Sequence, residues 1–231
     1  MIRLHIVVEG QTEETFVNEV LAPELGAHNT FTDAHRITTG RKHGRTHRGG
    51  WDSYQKLQRD LVLWMKQDQD ADARFTTMVD LYALPGDFPG YAECGRIAVP
   101  IQRAECLERH LVDDIIRELG NAVARCLVPY IQLHEFETFV FCEPAKLLVA
   151  FPAETGAVHR LDVIRQQFAG PEDIDDGKTS APSKRILEVI PEYTKAVAGP
   201  LIVKQIGLPR LRNDCPHFDS WITRLIELDP P

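Results

Sequence analysis

The chain has 231 residues, 26 Lys or Arg against 34 Asp or Glu, and a formal net charge of −8. That acidic balance excludes a general polyanion-coating protein, which would be strongly basic, yet leaves room for an enzyme that meets nucleic acid through bound metal. Hydrophobic residues at 43% and charged residues at 26% exclude disorder and fibrous repeats, and the length suffices for one sizeable core with an appendage.

No run of about 18 apolar residues is present, so no membrane span is expected. Met1-Ile2-Arg3-Leu4-His5-Ile6-Val7-Val8-Glu9 puts a carboxylate where a signal peptide needs apolar residues, and cytoplasm is the expected location. The five cysteines are widely spaced without a CxxC pair, which predicts reduced thiols rather than a disulfide framework or a zinc ribbon.

Leu4 to Val8 is a short apolar, β-branched run and predicts a buried parallel strand. A tight turn at Glu9-Gly10 leads into a helix with Thr12 as cap, Glu13 and Glu14 at its positive end, and Phe16, Val17, Val20 and Leu21 as its apolar stripe. Pro23 is expected to end or interrupt it. Residues 34–51 carry five Lys or Arg, three His, four Gly and no acid, which predicts a basic flexible loop. Leu57, Leu61 and Trp64 then mark a helix, and Phe75 to Val79 a second strand ending at Asp80.

Two prolines and two glycines between Pro85 and Gly90 predict a rigid turn. A helix over 103–119 stops at Gly120, and Cys126 to Leu133 reads as a third strand running into His134-Glu135-Phe136-Glu137. Strands alternating with helices predict an α/β fold with a mostly parallel sheet flanked by helices. Residues 1–150 are the expected core. Residues 151–231 are the expected C-terminal helical extension packed on it, with helices at 162–168, 183–190, 193–197 and 218–228.

Acids stand after all three strands: Glu9 with Glu13, Asp80 with Asp87, and Glu135 with Glu137. Functional groups gather beyond the carboxyl ends of strands in open α/β sheets. Carboxylates converging there repel unless cations intervene, and Mg2+ or Mn2+ suits such oxygen donors. A solvated surface group or helix cap is the ordinary role of any one such acid. His134 is a candidate general acid or base, or a structural histidine held by its neighbours.

Arg41, Lys42 and Arg45 in the basic stretch, and Lys184, Arg185 and Arg212 in a 178–212 segment with seven Lys or Arg against two Glu, are candidate phosphate contacts. Solvated charge is the alternative. Cys215, His217, Trp51, Trp64 and Trp221 read as packing residues, and no GxxxxGK[ST] loop occurs.

Val7-Val8-Glu9-Gly10-Gln11-Thr12-Glu13 resembles the EGxTE signature of TOPRIM-like proteins, the fold of primase, topoisomerase and OLD-family nucleases. Residues 79–90 around Asp87-Phe88-Pro89-Gly90, residues 129–137 around His134-Glu135-Phe136-Glu137, then Ser183-Lys184-Arg185 and Cys215-Pro216-His217-Phe218 resemble a bacterial TOPRIM-like family, domain of unknown function 4276. The resemblance spans most of the chain.

It implies a TOPRIM-like (Rossmann-like) fold, with Glu9 as catalytic acid/base or metal ligand and Glu13 as a second ligand. The implied metal set is Glu9, Glu13, Asp80, and Glu135 or Glu137. The strand-end DxD of that fold is here Asp80-Leu81-Tyr82, so one ligand is missing unless Asp87, Glu135 or Glu137 replaces it. The implied activity is a Mg2+- or Mn2+-dependent nuclease or related phosphodiester-processing enzyme, acting on DNA rather than RNA. The OLD-like resemblance adds a partner ATPase in phage defence or DNA processing. A non-catalytic module binding a partner ATPase or a nucleotide is the alternative, and a phosphatase or nucleotidyl-transferring enzyme on a small phosphate ester is a third.

Overall fold

A computed structural model describes residues 1–42, 45–48, 51–122, 126–174, 177 and 180–228; for 39–42 and 45–48 the description covers the backbone alone. Four parallel strands form the sheet: β1 (Ile2–Val8), β2 (Thr30–Arg36), β5 (Ala73–Asp80) and β6 (Leu127–Val128), in the order β2-β1-β5-β6. Strand β7 (Ile131–Gln132) pairs in parallel with the end of β5, Val79 opposite Ile131 and Asp80 opposite Gln132. The expected mostly parallel α/β architecture is therefore present. Among the described residues no helix is long and apolar enough to cross a membrane.

The period-2 alternation of β1 divides the core. Leu4, Ile6 and Val8 face one cluster with Phe16, Phe136, Phe139, Ile202, Phe218 and Trp221. Val7, Phe75 and Val79 face the other. That second layer is built by α3 (Tyr54–Gln67), through Leu57 and Leu61, and by α5 (Pro100–Leu119), through Leu107, Leu111 and Ile115. Gly120 stops α5 at φ 90°, a conformation glycine adopts without a Cβ penalty.

Several elements differ from the sequence-based expectation. The first helix runs through Pro23: α1 (Gln11–Phe16), a π-turn at Val17–Leu21 and α2 (Ala22–Ala27) follow without a break. The widened turn covers the carbonyl of Glu19, with which the Pro23 ring would collide in a regular helix. The 34–51 stretch is not one loop. It contains the end of β2 and an antiparallel hairpin of β3 (Thr38–Lys42) and β4 (Arg45–Arg48). Backbone pairing outweighs the high glycine and charge content that suggested a loop.

The expected third strand is split into β6 and β7, because Pro129 has no N–H to continue the ladder. Cys94 and Cys106 form a disulfide rather than remaining thiols, since the turn at residues 84–99 folds α4 (Tyr91–Cys94) back onto α5. Cys126, Cys142 and Cys215 are free.

Beyond α6 (Thr155–Arg165) and α7 (Pro182–Val189), the helix expected at 193–197 is longer: α8 spans Lys195–Ile206 through Gly199-Pro200. Burial of Ala198, Ile202, Val203 and Ile206 outweighs the poor propensity of that pair. Two helices close the chain, α9 (Leu208–Asp214), which periodicity did not reveal, and α10 (Pro216–Ile226). Trp221 of α10 stacks on Tyr130 at 4.2 Å and donates its indole N–H to Thr76 Oγ1 at 2.9 Å, anchoring this layer to β5 and β6.

Candidate functional site

Glu9 follows β1, and its Oε2 accepts the backbone N–H of Asp80 at 3.2 Å. The two strand ends are thereby tied directly. Glu13, in the first turn of α1, accepts the Gly10 N–H on Oε2 at 2.9 Å, satisfying an orphan donor of the helix start. Its other oxygen faces inward. β7 delivers the third set: after Gln132, His134 turns the chain at φ 60° and the 3₁₀ turn Phe136–Cys142 begins. The Tyr82 N–H bonds the His134 carbonyl at 2.9 Å, which holds that turn beside the end of β5.

The carboxylates meet around one cation that sequence reasoning missed. Lys195, the first residue of α8, lies 2.7 Å from Asp80 Oδ2, 3.3 Å from Glu13 Oε1 and 3.7 Å from Glu137 Oε2. These three carboxylates are 1–4% exposed, whereas the Lys195 side chain is 33% exposed. Lys195 thus lies across a buried acidic cup, its stem partly exposed and its ammonium turned in to the acids. No local signal identifies it, for it stands 115 positions from Asp80.

Electrostatics follow from this packing. Burial, with Asp80 adding repulsion and Lys195 opposing both, pushes Glu9 up to about 8. Burial likewise raises Glu137 to about 8, against Lys195 and with Glu135 and Asp80. Glu13 is raised by burial, with Lys195 opposing. Burial works against the Lys195 charge, but Asp80, Glu13, Glu137 and Glu9 outweigh it and hold the ammonium well above the usual lysine range. The Tyr193 phenol beside the cup is raised by burial and then by Glu137.

Glu13 Oε1, Asp80 Oδ1 and Glu137 Oε2 are buried without a hydrogen bond. Glu13 Oε1 and Glu137 Oε2 face the Lys195 ammonium at 3.3 and 3.7 Å, and buried carboxylate oxygens of this kind are the donors a divalent cation takes. The donor set suits Mg2+ or Mn2+. These acids are nevertheless not among the groups of the described residues whose possible ligand atoms all lie within 4.8 Å of one another. Lys195 occupies the centre towards which they point.

Other expected residues are placed elsewhere. Glu135 accepts the Ser183 N–H at 2.6 Å and its hydroxyl at 3.0 Å, fixing the first turn of α7 to the end of β7. It is not among the Lys195 partners. His134 is buried; its Nε2 bonds the Glu172 carbonyl at 2.8 Å, and its Nδ1 has no hydrogen-bond partner. Asp87 caps α3 by accepting from the Tyr54 N–H at 2.9 Å and Ser53 Oγ at 2.8 Å. Tyr82, at the position of the missing second aspartate, is exposed.

Lys184 is exposed, and Arg185 bonds the Ser180 carbonyl at 2.6 Å and lies over the Phe168 ring at 5.6 Å. Arg212 is paired with Asp219 at 2.5 Å and Thr223 at 3.1 Å, joining α9 to α10. Arg41, Lys42 and Arg45 belong to the β3–β4 hairpin, and their side chains lie outside the described ones. Cys215 and His217 are buried, with Cys215 Sγ 3.5 Å from Cys142 Sγ and His217 Nε2 3.1 Å from Glu108.

The profile of the family described as "Domain of unknown function (DUF4276)" matches residues 8–226. No curated protein is significantly similar to the chain in sequence. Among solved structures, the C-terminal region of the Burkholderia pseudomallei OLD protein is similar to this chain with a TM-score of 0.44 and 13% identity, over 96% of this chain and 98% of that one.

Proposed function

The chain belongs to the DUF4276 family, and we propose that it is a Mg2+- or Mn2+-dependent phosphodiester-processing enzyme of TOPRIM-like type, a nuclease acting on DNA. The observation that carries this reading is the convergence of buried carboxylates from three strand ends on one lysine ammonium. Glu9, Glu13, Asp80 and Glu137 would hold the metal. A bound divalent cation supplies charge stabilisation on the phosphate and a more acidic water.

The chain's own residues supply the remainder. Glu9 Oε2 is held by the Asp80 N–H, and burial raises the metal-free Glu9 carboxyl to about 8, so it would give up its proton to take part in a metal site. Lys195 is the cation of the cup and would be the residue to meet a phosphate oxygen there. Glu135 and Ser183 position α7, on which Lys184 is exposed to solvent. A partner ATPase, and a role in phage defence or DNA processing, follow from the OLD-like sequence resemblance.

One observation favours a second reading. Lys195 already provides a positive charge to the acids, as a non-catalytic module binding a partner ATPase or a nucleotide would require. Incubation of the purified chain with single-stranded, duplex and supercoiled DNA and with RNA, in Mg2+ or Mn2+, separates the two. Cleavage abolished in both Glu9→Gln and Asp80→Asn supports the enzyme. Absence of cleavage in either metal, with or without an ATPase encoded beside it, supports the module.

A further inference from the structure

On the sheet face towards α3, three possible ligand atoms come together. His5 Nδ1 is 3.4 Å from His35 Nε2, His35 Nε2 is 3.2 Å from Asp33 Oδ2, and His5 Nδ1 is 4.0 Å from that same oxygen. Tetrahedral zinc with bonds of about 2.0–2.1 Å places its ligand atoms about 3.3 Å apart. The parallel register, His5 opposite Asp33 and Val7 opposite His35, turns all three side chains to one face. His5 lies four residues before Glu9, about 13 Å along the strand, so this group is separate from the acidic cup.

The surroundings have the form of a supported metal site. His5 Nε2 bonds Asp68 Oδ2 at 2.8 Å. Asp68 is itself gripped by Arg3, through Nε at 3.1 Å and Nη2 at 2.9 Å. An ionised carboxylate on Nε2 fixes the N–H there and leaves a lone pair on Nδ1, directed at His35 and Asp33. The His35 ring is stacked on Trp64 at 3.6 Å and the His5 ring on Phe75 at 5.1 Å, which restrains both rotamers. The histidine side chains are only 11% and 15% exposed, while Asp33 is 65% exposed and marks the solvent side. The other described cluster with such spacing, Cys94, Cys106 and His110, has its two sulfurs joined in the disulfide and offers no thiolate.

We infer that His5, His35 and Asp33 form a site for a borderline transition-metal dication, Zn2+ foremost, with water in the fourth position and Asp68 as the orienting carboxylate. Two imidazoles select Zn2+ over Mg2+, which the all-oxygen cup prefers, so the two centres sort different metals. The inference stands independently of the nuclease reading, because none of its ligands belongs to the cup.

The test uses the tag-free, full-length chain stripped with EDTA. Calorimetric titration with Zn2+ is expected to give one equivalent. Co2+ is expected to give visible bands of a four-coordinate nitrogen–oxygen site and to quench Trp64, with the quenching lost in Trp64→Phe. Asp33→Ala, at an exposed position, and His35→Phe, which keeps the stack on Trp64, should each weaken Zn2+ at least tenfold with unchanged circular dichroism. Asp68→Asn should weaken it about 10–100-fold. Glu9→Gln and Asp80→Asn should leave it unchanged. No Zn2+ uptake, uptake unchanged in both Asp33→Ala and His35→Phe, or a thiolate charge-transfer band in the Co2+ form would each overturn the assignment.

Discussion

Removing the Lys195 ammonium leaves Asp80, Glu13 and Glu137 facing one another with no positive charge between them. Breaking a buried ion pair costs about 3–5 kcal/mol. Lys195 is a third exposed, so solvent screening reduces this to about 2 kcal/mol for Lys195→Met. The variant should unfold at lower temperature in EDTA and bind Mn2+ more tightly than wild type, read by calorimetry. The acids themselves predict a pH dependence. Glu9 and Glu137 bind protons more tightly folded, at about 8, than at their ordinary value of 4.5. The stability they add is complete below pH 4.5 and is lost as pH rises towards 8. His217 acts in the same direction: burial opposes its charge, but Glu108, Glu172 and the Ile131 carbonyl together outweigh burial and raise it. Urea midpoints of the metal-free chain should therefore fall between pH 5 and 8, and Glu9→Gln/Glu137→Gln should flatten the slope. Mg2+ should reverse the trend, releasing protons on binding at pH 7.

At the scale of elements, two glycines set how closely neighbouring segments approach, one of them beside the site. A Cβ on Gly90 would lie 2.2 Å from the His110 ring, at a φ of 74° that side chains avoid. A Cβ on Gly199 would lie 3.2 Å from both Phe136 and Tyr193. Gly199→Ala should cost about 1 kcal/mol and Gly90→Ala about 3 kcal/mol, an ordering that denaturant titration checks. Gly199→Ala also pushes α8 away from the Phe136–Cys142 turn. It should therefore weaken Mn2+ binding, whereas Gly90→Ala should not. The strand ends were readable because Ile6-Val7-Val8 and Met78-Val79 are apolar steps that run directly into an acid. The β3–β4 hairpin was not, since Thr, Gly and Arg carry little strand signal outside a pairing. Helix α8 was read too short because Gly199-Pro200 breaks propensity, and with it went Lys195, whose place depends on where α8 begins. His5, Asp33 and His35 form no motif either. They meet only through the register of β1 and β2.

Over the whole molecule, one apolar cluster joins the first strand to the last helix: Leu4, Ile6 and Val8 share it with Ile202, Phe218, Trp221 and Leu225. A chain ended after Ala150 would uncover Phe16, Phe136 and Phe139 and lose α6 to α10. It should lack a cooperative thermal transition and elute as aggregate in size-exclusion chromatography. The acidic total is also unevenly spent. Asp80, Glu13 and Glu137 are buried, while Lys184 and Lys204 stand at the surface. On the nuclease reading, DNA binding should weaken with added salt in proportion to the phosphates contacted, despite the net charge of −8.

The 115 positions between Asp80 and Lys195 also impose an order in time. At about 5–20 residues per second, the ribosome adds that stretch in on the order of ten seconds. During that interval the strand-end acids of the emerging chain have no lysine to balance them. Water solvates them until they are buried, so the cup can close around its own counter-charge only after Lys195 has been added.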